Sequence, residues 1–452
     1  METQKKKERK FTQSITFKAM VITVLTLLML IPGAMIQNLI SERQYRSEET
    51  IEKINEKWGT RQRLCGPVLS IPYTTTITNE KGSVTNYDHV YHLTPEKLQI
   101  TAKLSPEERH YGIYKAILYK SKISIEGSFA NVDKLEVASS TFHWEKAYIS
   151  LGISDLGGVV NDVEILFGGK PYKTNAGNNS QLNTKSLIAE IKDSSAFRSD
   201  KPIAFSCNMD LNGSQEMEFI PIAKTTKVEL SGNWVSPGFV GNFSPDYTIS
   251  DTGFSATWNI LHFNRDIPES WIDRQEISLH ESSFGVNLVN TVDHYQQNMR
   301  SAKYALMFIA LTFVVFFFVE LLTKKRIHPI QYLLVGVGLI LFYSLLLSLS
   351  EQISFGIAYL VATLVTIGLI VVYAYSIFKN KTQTILLGLM LSGLYAFLYI
   401  VLQLEDYSLL IGSIGLFVVL GIIMFVSRKI NWYKQDEMEE NTTAEMSEQM
   451  DK

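Results

Sequence analysis

Residues 304–350 read YALMFIALTFVVFFFVELLTKKRIHPIQYLLVGVGLILFYSLLLSLS, and this stretch decides the architecture. Two apolar segments flank the basic cluster Lys324-Lys325-Arg326, and each is long enough for one membrane-spanning helix. The chain continues in the same way, with further apolar segments near 355–378, 384–402 and 407–427. The sequence therefore predicts a bundle of five transmembrane helices over residues 303–428.

A sixth apolar segment lies near the N-terminus. Residues 19–41 contain no charged side chain and follow the basic segment 1–18. The uncharged run is longer than the apolar part of an ordinary signal peptide and lacks a small-x-small cleavage pattern, which predicts a retained transmembrane anchor helix. Residues 42–59 carry opposite charges four positions apart, together with Ile51, Ile54 and Trp58 at helical spacing. This pattern predicts a juxtamembrane helical stalk that places one thin apolar stripe on a soluble domain.

The charges between the predicted helices alternate in sign. Basic residues follow the second, fourth and sixth helices, whereas acidic residues, Glu351 and then Glu405-Asp406, follow the third and fifth. Because cytoplasmic loops are enriched in Lys and Arg, the pattern predicts a multi-pass membrane protein with both termini in the cytoplasm and residues 60–302 on the extracytoplasmic side. The acidic segment 429–452 is predicted to be a disordered cytoplasmic tail.

The large domain at 60–302 shows short runs in which every second residue is apolar. Leu98, Ile100, Ala102 and Leu104 form one such run, and Phe254, Ala256, Trp258 and Ile260 form another. Alternation of this kind is typical of strands with one buried face, and turn residues separate the runs. We therefore expect an α+β membrane protein of six transmembrane helices with an all-β, sandwich-like extracytoplasmic domain.

A weak internal repeat suggests that this domain has two related halves, 60–167 and 186–302. The segment 122–129 resembles 227–234, since each ends in an aromatic residue after a Gly and a small polar residue. Residues 168–185, rich in Gly, Asn, Ser and Lys, are predicted to form a flexible loop between the halves. Chance similarity between β-strands explains the same pattern, and the sequence leaves both alternatives open.

Only two cysteines occur, Cys65 and Cys207, both in the large domain. A chain with only two cysteines cannot form a disulfide-dense scaffold or a zinc site built from several cysteines. Two buried free thiols or one disulfide bond remain as alternatives, because an oxidising compartment allows the bond.

The residues that invite a chemical interpretation are few. His89 and His92 fall on opposite faces of a strand, so a shared metal ion is not expected. Asp293-His294 comes about ten residues before the second membrane helix without any catalytic motif, which favours a structural junction. Glu320 is an acidic residue within an apolar helix, so it is a functional candidate, yet it lies near the cytoplasmic end where Lys324 can pair with it. Glu405 and Asp406 mark an outward loop.

Several segments together resemble the CreD family of bacterial inner-membrane proteins. These segments are Glu42-Arg43-Gln44, Trp58-Gly59, Cys65-Gly66-Pro67-Val68-Leu69-Ser70-Ile71-Pro72-Tyr73, Phe284-Gly285-Val286, Val292-Asp293-His294-Tyr295-Gln296, Lys303-Tyr304-Ala305-Leu306, His328-Pro329-Ile330-Gln331-Tyr332-Leu333-Leu334-Val335-Gly336 and Leu404-Glu405-Asp406-Tyr407. Cys65 departs from the family pattern, where a small residue such as Ser is expected. The resemblance implies a link to cell-envelope integrity and envelope stress, and it supplies no catalytic residue.

Three functional hypotheses follow. The first is a non-enzymatic envelope protein, anchored in the lipid bilayer, whose β domain binds an envelope protein or component. The second is a transporter or channel formed by the C-terminal bundle, and the third is a membrane-embedded enzyme that acts on envelope precursors. The net charge of −3 and the lack of a basic face argue against nucleic acid as a partner, and no motif indicates a cofactor or a metal ion.

Overall fold

The computed structural model describes residues 15–78, 84–132, 135, 137, 139–179, 184–198, 201–273, 279–288, 294–323, 327–404 and 408–428. The chain is α+β and divides into two compact units. A helical unit comprises Met1–Arg46 and Val292–Lys452, and a β unit comprises Ser47–Thr291.

The helices occupy the two ends of the chain. They are α1 Ile15–Leu28, α2 Leu30–Trp58, α3 His294–Lys303, α4 Ala305–Thr323, α5 Pro329–Ser350, α6 Phe355–Phe378, α7 Lys381–Gln403 and α8 Ser408–Ser427. Helical structure runs from Phe17 to Trp58, through both the predicted anchor and the predicted stalk. The pairs Glu42–Arg46 and Glu49–Lys53 form salt bridges of 2.6 and 2.7 Å, as their spacing predicts.

Four helices in the described part of the chain are long and apolar enough to cross a membrane. They are Phe17–Trp58, Pro329–Ser350, Phe355–Phe378 and Lys381–Gln403. The pair His294–Lys303 and Ala305–Leu321, which is bent by 45°, adds a fifth if both parts belong to one span. Large apolar side chains on these helices, such as Leu364 and Leu389, are more than 60% exposed, which suits contact with lipid.

Helix α3 corrects the expected extent of the β-rich domain, because residues 294–302 were assigned to that domain and are helical instead. The sequence HYQQNMRSAK is mostly polar and only ten residues long, so its short apolar stripe of Tyr295, Met299 and Ala302 is a weak signal for a helix. The helix nevertheless buries Tyr295, Asn298, Ser301 and Ala302. Its polar side chains are therefore placed inside the helical unit.

The β unit contains two sheets. Their strands are β1 Gln62–Thr78, β2 Val84–Leu93, β3 Lys97–Tyr111, β4 Tyr114–Phe129, β5 Ser140–Phe142, β6 Tyr148–Ile153, β7 Glu164–Phe167, β8 Lys170–Lys173, β9 Asn175–Asn179, β10 Thr184–Glu190, β11 Ile203–Ser214, β12 Glu216–Ile220, β13 Thr225–Gly232, β14 Gly238–Gly241, β15 Asp246–Ser250, β16 Gly253–Leu261, β17 Ser270–Ile272 and β18 Phe284–Asn287. A ten-stranded sheet follows the order β14-β18-β12-β1-β6-β10-β9, with β2, β5 and β17 beside this path. An eight-stranded sheet follows the order β15-β16-β13-β3-β4-β11-β7-β8.

Side chains from both sheets form one apolar core. The residues of the alternating runs at Leu98–Leu104 and Phe254–Ile260 are buried in it, which confirms that these runs are strands with one inner face. Two pairings near the middle of the sheets are parallel, β1 with β12 and β3 with β13. Parallel neighbours need a long connection, and here each connection contains several strands of both sheets.

The two segments that suggested an internal repeat have different positions in the eight-stranded sheet. Strands β3 and β4 form a hairpin across Gly112, whose φ of 62° suits a tight turn, whereas the matching segments in β11 and β13 are not neighbours, because β4 and β3 lie between them. The two repeat segments therefore have different strand neighbours, and the division into the halves 60–167 and 186–302 stays a prediction. The described residues of 168–185 contain β8, β9 and the start of β10, so the expectation of a single flexible loop was wrong.

Candidate functional site

The outward side of the eight-stranded sheet carries a continuous set of hydrogen-bonding side chains, which we name the polar face. It is formed by Thr225, Lys227, Glu229 and Ser231 of β13, Lys97, Gln99, Thr101 and Lys103 of β3, Lys122, Ser124, Glu126 and Ser128 of β4, and Ser206, Asn208 and Asp210 of β11. All of these side chains are exposed or half-buried, because alternate residues of each strand point away from the core.

Strand register arranges the polar face in rows. One row runs Lys227, Gln99, Glu126 and Ser206, since each residue is directly opposite the next on the neighbouring strand. The next row along the strands runs Glu229, Thr101, Ser124 and Asn208. Because directly opposite side chains lie about 5 Å apart, one ligand can reach several of them at once.

Two grooves lie on the polar face. The first has a volume of about 660 Å³ and is lined by residues that include Lys97, Gln99, Glu126, Ser206 and Lys227. Ligand pockets in proteins have volumes of roughly 300–1,000 Å³ and are mostly apolar. This groove has the size of a ligand site, and its lining combines these polar side chains with apolar residues such as Leu98, Leu166 and Phe205. A ligand that fits it must therefore offer hydrogen-bonding groups beside apolar surface.

The second groove has a volume of about 500 Å³ and is lined in part by Thr101, Lys122, Ser124, Asn208 and Asp210. It contains donors and acceptors of both charges. The Asn161 amide donates to the Asp210 carboxylate at 2.8 Å at its edge. Positive and negative groups are therefore interspersed, which favours an uncharged or mixed-charge ligand over a strongly anionic one.

The buried carboxylate of Glu320 is the second notable site, and it lies in the helical unit. Glu320 is 4% exposed and accepts three hydrogen bonds. The donors are the Lys18 ammonium at 2.5 Å, the Ile327 backbone N–H at 3.1 Å and the Tyr332 hydroxyl at 3.0 Å. The carboxylate thus connects α1, α4 and the start of α5 through hydrogen bonds.

Sequence reasoning found Glu320 and missed its partners. The expected partner, Lys324, lies outside the described residues. Lys18 is about 300 positions away in the chain, and only the fold brings it close. Tyr332 lies in the first turn of α5, 12 positions from Glu320, and nothing in its local sequence indicates the contact.

Of the other candidate residues, the structure describes His294. Asp293, Glu405 and Asp406 lie outside the described residues. His294 begins α3, with its ring centroid 4.2 Å from that of Tyr295. The Tyr295 hydroxyl donates to Glu351 at 3.2 Å, so this region does link α3 to the end of α5, as a structural junction would.

The two cysteines are both buried and not bonded to each other. Cys65 is in β1 of the ten-stranded sheet, and Cys207 is in β11 of the other. Burial raises the pKa of each thiol to about 12, although the Arg63 charge opposes this at Cys65. Neither thiol is therefore suited to act as a nucleophile.

His89 and His92 have separate environments. The His89 ring contacts the Asp273 carboxylate at 2.5 Å, whereas His92 shares a hydrogen bond of 2.8 Å with Ser70 and stacks on Trp271. Burial lowers the pKa of His92 to about 4, a shift that the nearby Asp273 charge partly offsets. Within the described ranges, no group of three or more His, Cys, Asp or Glu residues is placed to hold a metal ion.

Long apolar helices at both ends of the chain, together with a β unit of two sheets, define a multi-pass membrane protein with a large non-membrane domain. Residues 14–433 match the family described as inner membrane protein CreD. The chain is also 30% identical to the inner membrane protein CreD of Escherichia coli (strain K12) over 415 residues, which cover 90% of this chain and 91% of that protein. The chain belongs to the CreD family.

Proposed function

We propose that this chain is a non-enzymatic inner-membrane protein that supports envelope integrity by binding a polar envelope component on the polar face. Its membrane part has six spans, with both termini in the cytoplasm and the β unit in the periplasm. The charge pattern of the loops supports this topology. The observation that carries the binding role is the pair of neighbouring grooves on the polar face, of about 660 and 500 Å³.

The chemistry of the grooves indicates the class of component. Gln99, Thr101, Ser124, Ser206 and Asn208 present amide and hydroxyl groups, which both donate and accept hydrogen bonds. Such groups suit a ligand with many hydroxyl and amide groups, as in an envelope glycan or an extended peptide. The rows across four strands suit a ligand that lies across the strands and contacts each in turn.

The binding role can be tested by filling the grooves. Gln99→Trp and Ser124→Trp each add a large ring on the outward side of a strand, where the core is not disturbed. Strains that carry these variants at normal membrane levels should take up an envelope-impermeant dye as readily as a strain without the protein. Lys192→Trp, at an exposed position outside the strands, is the matched control and should behave as wild type. Full complementation by both groove variants would contradict the proposal.

The proposed topology is tested by a separate experiment, whose result does not depend on the binding role of the polar face. Both native cysteines are buried, so an added thiol provides the reactive site. In spheroplasts, a membrane-impermeant maleimide should label Lys192→Cys and should label Ser447→Cys only after the membrane is dissolved. The reverse pattern would place the β unit in the cytoplasm.

A further inference from the structure

Helix α3 carries an arc of buried oxygen atoms that have no partner. The atoms are Gln297 Oε1, Asn298 Oδ1 and Ser301 Oγ, and each lacks a hydrogen bond among the described residues. Asn298 is 1% exposed and Ser301 is fully buried. Buried polar groups in folded proteins nearly always have a partner, so three unpartnered oxygens on one short helix require an explanation.

The three oxygens share one side of α3. With about 100° of rotation per residue, positions 297, 298 and 301 fall within roughly a quarter to a third of the helix circumference. Lys303 falls on the opposite side, whereas Arg300 is about 60° from Gln297 around the helix. The oxygens of Asn298 and Ser301 are therefore directed away from both cationic side chains of this helix.

The orientation of the Asn298 amide is determined by its own hydrogen bonds. Its NH₂ group donates to the His294 carbonyl and to the Ser350 hydroxyl, each at 2.7 Å. Both amide protons are thus used, and Oδ1 is the atom that remains. An amide oxygen only accepts, and the Ser301 hydroxyl can rotate to present a lone pair, so the arc offers acceptors to a ligand.

The surroundings favour a positive ligand. The oxygens lie in the last two turns of α3, where the carbonyl end of the helix is electronegative. Glu351 is nearby, since its carboxylate accepts from Tyr295 of the same helix at 3.2 Å. The Gln37 amide donates to the Ala302 carbonyl of α3 at 3.4 Å, and Ala305, Phe308 and Leu347 contribute apolar side chains to the core of the helical unit.

The arc also coincides with a break in the helix. The axis bends by 45° between Lys303 and Ala305, immediately after Ser301. Interrupted helices with oxygen ligands beside the break are a common way to hold a small cation within a membrane protein. From these observations we propose that Gln297, Asn298 and Ser301 form a binding site for a monovalent cation, for which Na⁺ is the natural probe.

The test measures ²²Na⁺ binding and thermal unfolding of the purified full-length protein in detergent. Saturable binding of about one Na⁺ per chain is expected, with a rise in Tm in NaCl that choline chloride of equal ionic strength does not produce. Ser301→Ala should lose the binding and the rise in Tm. Because it removes an unpartnered hydroxyl, it should also unfold at the same or a higher temperature than wild type in choline chloride.

Gln297→Met is a second variant in case Ser301→Ala folds poorly, and it should weaken Na⁺ binding at least tenfold. Ser348→Ala, at an exposed serine of α5, is the matched control and should bind Na⁺ as wild type does. Absence of saturable Na⁺ binding would overturn the proposal, since ordered water alone then fills the arc. Equal binding by wild type and both variants would overturn it as well.

Discussion

The guanidinium group of Arg109 lies over the indole ring of Trp58, with its Cζ atom 4.3 Å from the ring centroid. The indole N–H donates to the Tyr119 carbonyl at 3.3 Å. The end of α2 is thus fastened to the β3–β4 hairpin. A cation–π contact at an exposed site contributes about 0.5–1 kcal/mol, so Arg109→Gln should lower the free energy of unfolding of the β unit by that amount.

A double-mutant cycle measures this contact. Arg109→Gln should lower the free energy of unfolding in the wild-type background. In a Trp58→Leu background the same substitution should lower it much less, as monitored by chemical unfolding. Lys57→Gln, on the exposed side of α2, serves as the control. If Arg109→Gln has the same effect in both backgrounds, the contact contributes nothing.

The Glu320 cluster should be sensitive to the loss of one charge and tolerant of the loss of both. Glu320→Leu leaves the Lys18 ammonium without its partner, and breaking a buried ion pair from one side costs about 3–5 kcal/mol. Lys18→Met combined with Glu320→Leu should unfold at a temperature closer to wild type than Glu320→Leu alone. Tyr332→Phe removes one hydrogen bond and should cost about 1 kcal/mol.

The same variants bear on the alternative of a transporter. If Glu320 carried transport, Glu320→Gln would abolish an ion flux in proteoliposomes. A structural anchor predicts that stability changes and that any flux per folded molecule does not.

The buried His92 should make the stability of the protein depend on pH. Its folded pKa of about 4 lies below the ordinary value of about 6.5. Between these values the unfolded chain binds the additional proton, so this contribution is complete above pH 6.5 and is lost as the pH falls toward 4. The loss amounts to at most about 3 kcal/mol.

Unfolding measured from pH 4.5 to 7 tests this. His92→Gln should flatten the pH dependence in that range, whereas His110→Gln, at an exposed position, should leave it unchanged. A wild-type profile that His92→Gln does not alter would assign the pH dependence to other groups.

The two cysteines should remain unreactive while the protein is folded. Burial disfavours the thiolate of both Cys65 and Cys207, so a maleimide should label neither in the native protein. In denaturant without a reductant, it should label both. Labelling of neither residue under these conditions would show that a disulfide bond had formed.

The sequence predicts features that depend on neighbours along the chain. Alternation at Leu98–Leu104 is sufficient to identify a strand, and the spacing of Glu42 and Arg46 is sufficient to identify their salt bridge. The pairing of Lys18 with Glu320 joins positions about 300 residues apart, and no local pattern encodes it. The polar face is an intermediate case, because its residues could be recognised as outward-facing but their rows depend on the parallel pairing of β3 with β13.

Helix α3 shows a second limit on what can be predicted from the sequence. Asn298 and Ser301 are buried although they are polar, and the apolar stripe of Tyr295, Met299 and Ala302 is short within a mostly polar segment. Burial of this kind depends on what surrounds the helix. A polar segment next to an apolar one is therefore easily read as a loop, although it is where the structure places its unpartnered oxygens.

The parallel pairing of β1 with β12 has a consequence for how the protein is made. Gln62 is paired with Met217, about 155 residues later, so the middle of the ten-stranded sheet cannot form until most of the domain has left the ribosome. Contacts of such long range fold slowly. The growing chain must keep the unpaired edges of β1 apart from other chains during this time, which makes the nascent protein a natural client for chaperones.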